Sequence, residues 1–433
     1  MEIAELYRIY RQWPSVQTDT RKLKAGDIYF ALSGPNFDGN TFAATALEMG
    51  AAYAVIDNAQ YAINDKCIVV PDVLTTLQQL AKCHRQQFHI PFIAITGSNG
   101  KTTTKELLAA VLSRKYVTYY TAGNLNNHIG VPLTLLKIKD YAQVAIIEMG
   151  ANHQREIASC CDIALPTHGV ITNCGKAHIE GFGGIEGVRK GKGELYDFLR
   201  DNNGIIFRNR SLDYLEPMAD GVAEQVTYGE SDATFTGTPL MDGVFVGMEV
   251  ETADGVERIK TQLVGEYNFP NIMLAFAAGM HFGVPVAEIR LALEAYQPDN
   301  SRSQWLKKGS NQLILDAYNA NPTSMKAAIQ NFAALALENK LLWLGGMKEM
   351  GAEEYNEHKA LVELIDSYAW SGVILVGKEF ENVKGAHQWF STSADAAVYI
   401  KEYLPENSAI LIKGSRGSKM EVLADALPDQ QGL

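Results

Sequence analysis

The amino-acid sequence predicts an α/β protein of three domains. Three observations carry that prediction. Short apolar runs of strand character alternate with stretches of helical period, the pattern of parallel strands covered by helices. At Ile90–Glu106 one such run ends in a glycine-containing turn and enters a helical stretch, the layout of a phosphate-binding loop. The length, 433 residues, exceeds what one ordinary core accommodates. The expected organisation is a small α/β N-terminal domain over residues 1–88, a central P-loop mononucleotide-binding domain with a parallel sheet over 89–297, and a C-terminal Rossmann-like α/β domain over 298–433.

In the first segment, Asp27–Leu32, Ala52–Ile56 and Lys66–Val70 read as strands. Thr41–Met49 reads as a helix, and so does the stretch from Asp72 to Gln87, where Val73, Leu74, Leu77, Leu80 and Ala81 recur at helical spacing. In the second, Pro91–Thr96, Val144–Ile147 and Gly169–Thr172 are strands, and Thr102–Ser113 is a helix. Between about 204 and 265 the texture turns alternating and rich in Gly and Thr, which predicts an antiparallel insertion. The polar run Tyr296–Trp305 is the expected hinge. Beyond it Gln312–Leu315, Leu341–Leu344, Gly372–Val376 and Ala409–Ile412 are four more strands.

Composition excludes several classes. A net charge of −12 argues against a nucleic-acid binder. No run reaches the roughly 18–20 apolar residues of a membrane span. The start of the chain lacks the layout of a secretory signal, so a cytoplasmic protein is expected. Five cysteines, none in a C-x-x-C pair, are expected to be reduced and mostly buried rather than cross-linked or zinc-bound.

The chemistry-bearing residues begin with Gly97-Ser98-Asn99-Gly100-Lys101-Thr102-Thr103. A strand that turns through glycines into a helix aims successive N–H groups at one point, where the helix dipole also favours an anion. Lys101 supplies a charge for phosphates and Thr102 a hydroxyl for Mg²⁺. Glu148 closes a strand as a Mg²⁺-holding carboxylate does at the edge of a parallel sheet. His178 stands just past the strand Gly169–Thr172, and Lys190 and Lys192 follow on a helical stretch. Taken singly, each has a plainer reading: an ordinary turn, a solvated carboxylate, a structural histidine, solvated lysines.

Read in order, "TGSNGKTTTKE", "TAGNLNNHIGVPLTLL", "EMGANHQREI", "ITNCGKAHIEGFGG", "DAYNANPTSM" and "IKGSRGSKMEVL" resemble the Mur ligases, ATP-dependent amide-forming enzymes of peptidoglycan synthesis. The resemblance spans all three segments. It accounts for Ile95 where the longer phosphate-loop pattern has a glycine, because the family's loop is the shorter G-x-x-G-K-[ST]. It implies that Lys101 contacts ATP phosphates, that Thr102 and Glu148 hold one Mg²⁺, and that His178 helps hold a second with a carbamoylated lysine. The family's K-x-E motif places that lysine at Lys192, with Lys190 the competing candidate.

Further roles follow from the same resemblance. Asn268 and Asn271 match an N-x-x-N whose second member reads adenine. Arg302, Asp316, Asn319 and Asn321 close over the nucleotide from the third domain, and Lys413, Ser415 and Arg416 lie near the incoming amine or the phosphates. Thr20, Arg21, Phe37, Asp38, Asn126 and Asn127 are assigned to the sugar-nucleotide peptide. The branch most resembled adds D-alanyl-D-alanine to UDP-N-acetylmuramoyl-tripeptide through an acyl phosphate, with a monomer as the expected form. The alternatives are the branch that adds the third amino acid to the dipeptide precursor, and a non-catalytic nucleotide-binding regulator. Tyr267, Gly346 and Lys176 depart from the family pattern, which commonly has His, Asp and Pro there.

Overall fold

The computed structural model describes residues 1–253, 255–299 and 301–429; Asp254 in the expected insertion and Asn300 in the expected hinge lie outside the described residues. Three main sheets succeed one another along the chain. The first is four-stranded and parallel, in the order Val16–Gln17, Ile28–Phe30, Tyr53–Ile56, Cys67–Val69. Its strand Ile28–Phe30 is wholly buried, as a strand covered on both faces must be.

The second sheet has nine strands. Phe92–Thr96 sits at its heart, between Val144–Glu148 and His168–Ile171, both parallel to it. All five residues of Phe92–Thr96 and of Val144–Glu148 are buried, so these apolar runs carry no polar alternation. Because strands that come later in the chain flank Phe92–Thr96 on both sides, a crevice opens beyond their carboxyl ends.

The expected antiparallel insertion needs correction. Ile205–Asn209 and Glu224–Gly229 continue the parallel sheet, and Phe235–Asp242 joins it in parallel through a short contact. Antiparallel pairing starts only with Phe235–Asp242, Phe245–Thr252 and Gly255–Val264. The long helix Ile185–Asp201 explains the first part: it is a crossover that returns the chain parallel to the strand before it.

The third sheet has six strands rather than the four expected. Gln304–Lys308 pairs antiparallel at one edge, so the expected hinge run already ends in a strand; Gln388–Phe390 closes the other edge. Between them lie Asn311–Asp316, Ala409–Lys413, Lys340–Gly345 and Gly372–Val376, all parallel. Among the described residues no helix is long and apolar enough to cross a membrane. The five cysteines are free.

Candidate active site

The crevice at the carboxyl ends of the central strands is a cavity of about 870 Å³, walled by the central and C-terminal domains. Its floor is the phosphate loop. Gly97 has φ 141° and Gly100, at the start of helix Lys101–Leu112, has φ 81°. A Cβ on Gly97 would stand 2.0 Å from the Thr172 hydroxyl, and one on Gly100 would stand 2.7 Å from Asn271 Oδ1. Glycine is therefore required by space as well as by backbone conformation. The loop is pinned to the neighbouring strand end: Ser98 N–H donates to Asn173 O at 2.8 Å, and Asn99 N–H to Asn173 Oδ1 at 3.1 Å.

Lys101 folds back on this loop, its Nζ donating to Gly97 O at 2.6 Å and Ser98 O at 3.2 Å. Burial lowers its pKa to about 8, partly opposed by Glu148. Behind it Thr102 Oγ1 lies 3.0 and 3.2 Å from the two Glu148 oxygens, and Asn126 Nδ2 donates to Glu148 Oε1 at 2.7 Å. Glu148 is 1 % exposed. Lys105, also 1 % exposed, brings its Nζ to 3.9 Å from Glu148 Oε2.

His178 pairs through Nδ1 with Glu349, which arrives from the C-terminal domain. Burial holds the imidazole below its usual pKa; Glu349 opposes the shift, and the charges of Lys101 and Lys192 add to it. Lys192 is 2 % exposed, and its Nζ donates to Ala151 O at 3.1 Å. Burial, reinforced by the charge of Lys101, lowers its pKa to about 7. Glu194, the acid of the same K-x-E, instead accepts from the backbone N–H groups of Arg155 and Ala158. Lys190 is exposed.

Asn268 and Asn271 also line the cavity. Asn271 Nδ2 donates to Asn268 Oδ1 at 2.9 Å and its Oδ1 accepts from Thr104 at 3.1 Å, which leaves one amide N–H of Asn271 for a ligand. Opposite them, Asp316 and Lys413 end adjacent parallel strands and pair at 2.5 Å, and Lys413 also donates to Asn319 O. Arg302 stacks on Tyr318, its guanidinium carbon 3.7 Å from the ring centre. Asn321 Nδ2 donates to Asn99 Oδ1 at 2.7 Å across the domain boundary.

Not every expected residue gathers here. Thr20, Arg21, Phe37 and Asp38 line no part of this cavity. The Arg21 guanidinium is held by Asp19 at 2.8 and 2.9 Å, and the Asp38 carboxylate caps its own turn by accepting from Ser33 and Asn40. Ser415 pairs with Ser418, and Arg416 is exposed with its guanidinium carbon 5.5 Å from the centre of the Tyr318 ring, so of that trio only Lys413 lines the cavity itself. Asn126 and Asn127 do line it. Lys105, Arg155 and Glu349 were not singled out from sequence, although the first two lie inside strings that were. At Gly346 a side chain would meet Glu379 Oε2 at 2.6 Å, so the aspartate of the family pattern would face a carboxylate here.

Comparison with known proteins agrees along the whole length. Family models match in three blocks: a Mur ligase family, catalytic domain over residues 14–85, a Mur ligase middle domain over 95–279, and a Mur ligase, glutamate ligase domain over 301–416. The UDP-N-acetylmuramoyl-tripeptide–D-alanyl-D-alanine ligase of Bacillus subtilis (strain 168) is 34% identical over 432 residues, covering 95% of this chain and 92% of the relative. That of Escherichia coli (strain K12) is 34% identical over 425 residues, covering 96% and 94%. Among solved structures, MurF from Acinetobacter baumannii superposes with a TM-score of 0.86 at 31% identity, covering 95% of this chain and 93% of that one. MurF from Thermotoga maritima in complex with ADP shares the fold, with a TM-score of 0.85 at 24% identity over 95% and 96%. With three family models in register and its phosphate loop, Glu148 and His178 set around one interdomain cleft, the chain belongs to the Mur ligase family.

Proposed function

We propose that this chain is an ATP-dependent peptide ligase that joins D-alanyl-D-alanine to the terminal carboxyl of UDP-N-acetylmuramoyl-tripeptide, a step in peptidoglycan precursor synthesis. One observation carries the reading. A single cavity sets the phosphate loop and the Thr102–Glu148 pair against Asp316, Asn319 and Lys413 of another domain, in a chain alike end to end to ligases of that name.

The reaction has two steps. A carboxylate oxygen attacks the γ-phosphorus of ATP and the bond to ADP breaks, leaving an acyl phosphate. The dipeptide's amine then attacks the acyl carbon, loses a proton, and expels phosphate through a tetrahedral intermediate. Lys101, freed from the carbonyls of Gly97 and Ser98, turns its ammonium to the phosphates, beside the N–H groups of the helix start. The Thr102 hydroxyl and Glu148 carboxylate are an all-oxygen donor pair suited to hard Mg²⁺, and Asn126 keeps the carboxylate in place. A Mg²⁺ held by these two residues would supply positive charge where carboxylate meets phosphate.

Lys192 is the residue that fits carbamoylation. Its buried amine meets a neutral carbonyl and, among the described residues, no carboxylate at hydrogen-bond distance, and its lowered pKa leaves much of it as free base, the form that adds CO₂, at neutral pH. The carbamate would place oxygen donors near His178 for a second cation. Asp316 holds Lys413 at the cleft, and the Asn99–Asn321 pair draws the domains together so that water is kept from the acyl phosphate.

The test is phosphate release with ATP, Mg²⁺ and UDP-N-acetylmuramoyl-tripeptide, with and without D-alanyl-D-alanine. Release that needs the dipeptide, with a product heavier by the dipeptide less one water, is the expected result. Release driven instead by a single amino acid with the UDP-N-acetylmuramoyl-dipeptide would overturn it.

A further inference from the structure

Arg155 is the cation of this cleft that phosphate and metal chemistry leave without a task. It directly precedes helix Glu156–Ala164 at φ 73°, in the left-handed region that favours glycine. The strain is held by Glu194, which accepts the Arg155 N–H at 2.5 Å and the Ala158 N–H at 3.0 Å. Two carboxylates thus stand by this residue, and neither pairs with its guanidinium. Glu194 is taken by those backbone groups; Glu156 is taken by the N–H groups of Asn152 and His153, at 2.7 and 3.2 Å, and by the His153 ring.

The guanidinium has no ion-pair partner among the described residues; Arg155 is exposed and is one of the residues lining the cavity, with Asn126, Asn152 and Gln154. In a chain of net charge −12, a strained backbone presents an unpaired cation to the active cleft while both adjacent acids are occupied elsewhere. That arrangement suits an anion brought by a substrate. The same cavity holds Lys101 and Glu148, where the reacting carboxylate must meet ATP. The peptide end of the sugar nucleotide, rather than its diphosphate, therefore has to lie along this wall.

We propose that Arg155 is a specificity residue that pairs with a free carboxylate of the peptide, other than the one being phosphorylated. A guanidinium fork matches a carboxylate with two parallel hydrogen bonds, which a lysine cannot reproduce. The assignment rests on the proposed function above, and the experiment separates the two.

The variant is Arg155→Gly, which removes the cation and relieves the positive φ, so its melting temperature should equal or exceed that of the parent. The expected result is a KM for UDP-N-acetylmuramoyl-tripeptide raised about 10- to 100-fold. The KM values for ATP and D-alanyl-D-alanine should stay within about twofold and kcat should be nearly kept, with Arg155→Lys recovering part of the loss. A tripeptide substrate whose remaining carboxylates are amidated should cost the parent enzyme the same factor and Arg155→Gly nothing further. An unchanged KM for the tripeptide substrate, a rise for ATP or the dipeptide alone, or an amidation penalty that persists in Arg155→Gly would each overturn the assignment. If the parent enzyme itself releases no phosphate with the tripeptide substrate, it is the ligase reading that falls.

Discussion

The N-terminal and C-terminal domains both pack on the central one, through opposite chemistry. On the N-terminal side one apolar cluster runs across the boundary: Leu6, Tyr10, Leu77 and Leu80 join Phe92, Leu135, Leu136 and Ile163. Arg85 is buried in this seam, donating to the carbonyls of Ala164, Leu165 and Phe88 and lying 3.6 Å from the centre of the Phe92 ring. On the C-terminal side the contacts around the cavity are polar: Asn99 with Asn321, Lys176 with Glu357, His178 with Glu349. Apolar contact lies near the start of the C-terminal domain, where Phe245 packs on Trp305 and Val244 and Val264 share the C-terminal core. Parting the first seam exposes apolar surface to water, whereas parting the second trades protein hydrogen bonds for water ones at small net cost. The contrast predicts an N-terminal domain fused to the central one and a C-terminal domain hinged to it.

The difference predicts where substitutions act. Lys101→Ala, on the polar side, should lower turnover by two to three orders of magnitude, about 2.7–4 kcal/mol of activation free energy, and leave the urea midpoint in place. Phosphate release and equilibrium denaturation read the two quantities. A midpoint that falls along with turnover would show that the cleft is part of the fused core. Arg85→Ala, on the apolar side, should do the reverse, costing about 2–3 kcal/mol of stability by leaving buried carbonyls without donors. A separate early transition for the N-terminal domain would break the claim of fusion.

His84 sharpens the same contrast through pH. It sits in the fused seam, where its Nε2 bonds Ile138 O at 2.9 Å and its Nδ1 the Tyr7 hydroxyl at 3.1 Å. Burial holds its pKa below the usual 6.5, partly opposed by the bond to Ile138. The unfolded chain therefore binds a proton first as pH falls, so stability is full above about 7 and declines below 6.5 until the folded pKa is reached. Each unit of lowering corresponds to about 1.4 kcal/mol. Denaturation of the parent and of His84→Gln across pH 4–8 isolates this slope. Equal slopes in the two proteins would remove His84 from the account.

The two seams were also unequally legible in the sequence. The phosphate loop was readable because everything that builds it is local: the apolar strand Phe92–Thr96, two glycines with positive φ, and a lysine opening a helix. The apolar seam was hidden, since the periodicity of Val73–Arg85 says that one face is buried but not that it is buried against another domain. Partner choice likewise misled the reading of residues 204–265, where alternation was visible and strand direction was not. The edge strands Val16–Gln17 and Gln388–Phe390 are too short for a pattern to register. Arg155 and Glu349 gain their significance only from what stands beside them in space. In the family-like string of the N-terminal domain, Arg21 and Asp38 are held by neighbours within that domain, whereas the Phe37 ring is exposed.

The smallest expected effect tests the hinge itself. Lys176 stands where the family pattern has proline, and its Nζ reaches Glu357 of the C-terminal domain at 2.6 Å while its N–H donates to Thr323. The lysine is half-exposed, so the pair should be worth about 0.2–1 kcal/mol, all of it across the domain boundary. Glu357→Gln should then raise the KM for ATP about two- to fivefold at low salt. The rise should vanish near 1 M salt, where screening shrinks to about 3 Å, and the denaturation midpoint should not move. Lys176→Ala combined with Glu357→Gln should cost no more than either alone, because the two residues serve one contact. Additive losses, or a midpoint that moves as it does for Arg85→Ala, would mean that this pair holds the fold together and that the polar seam is no hinge.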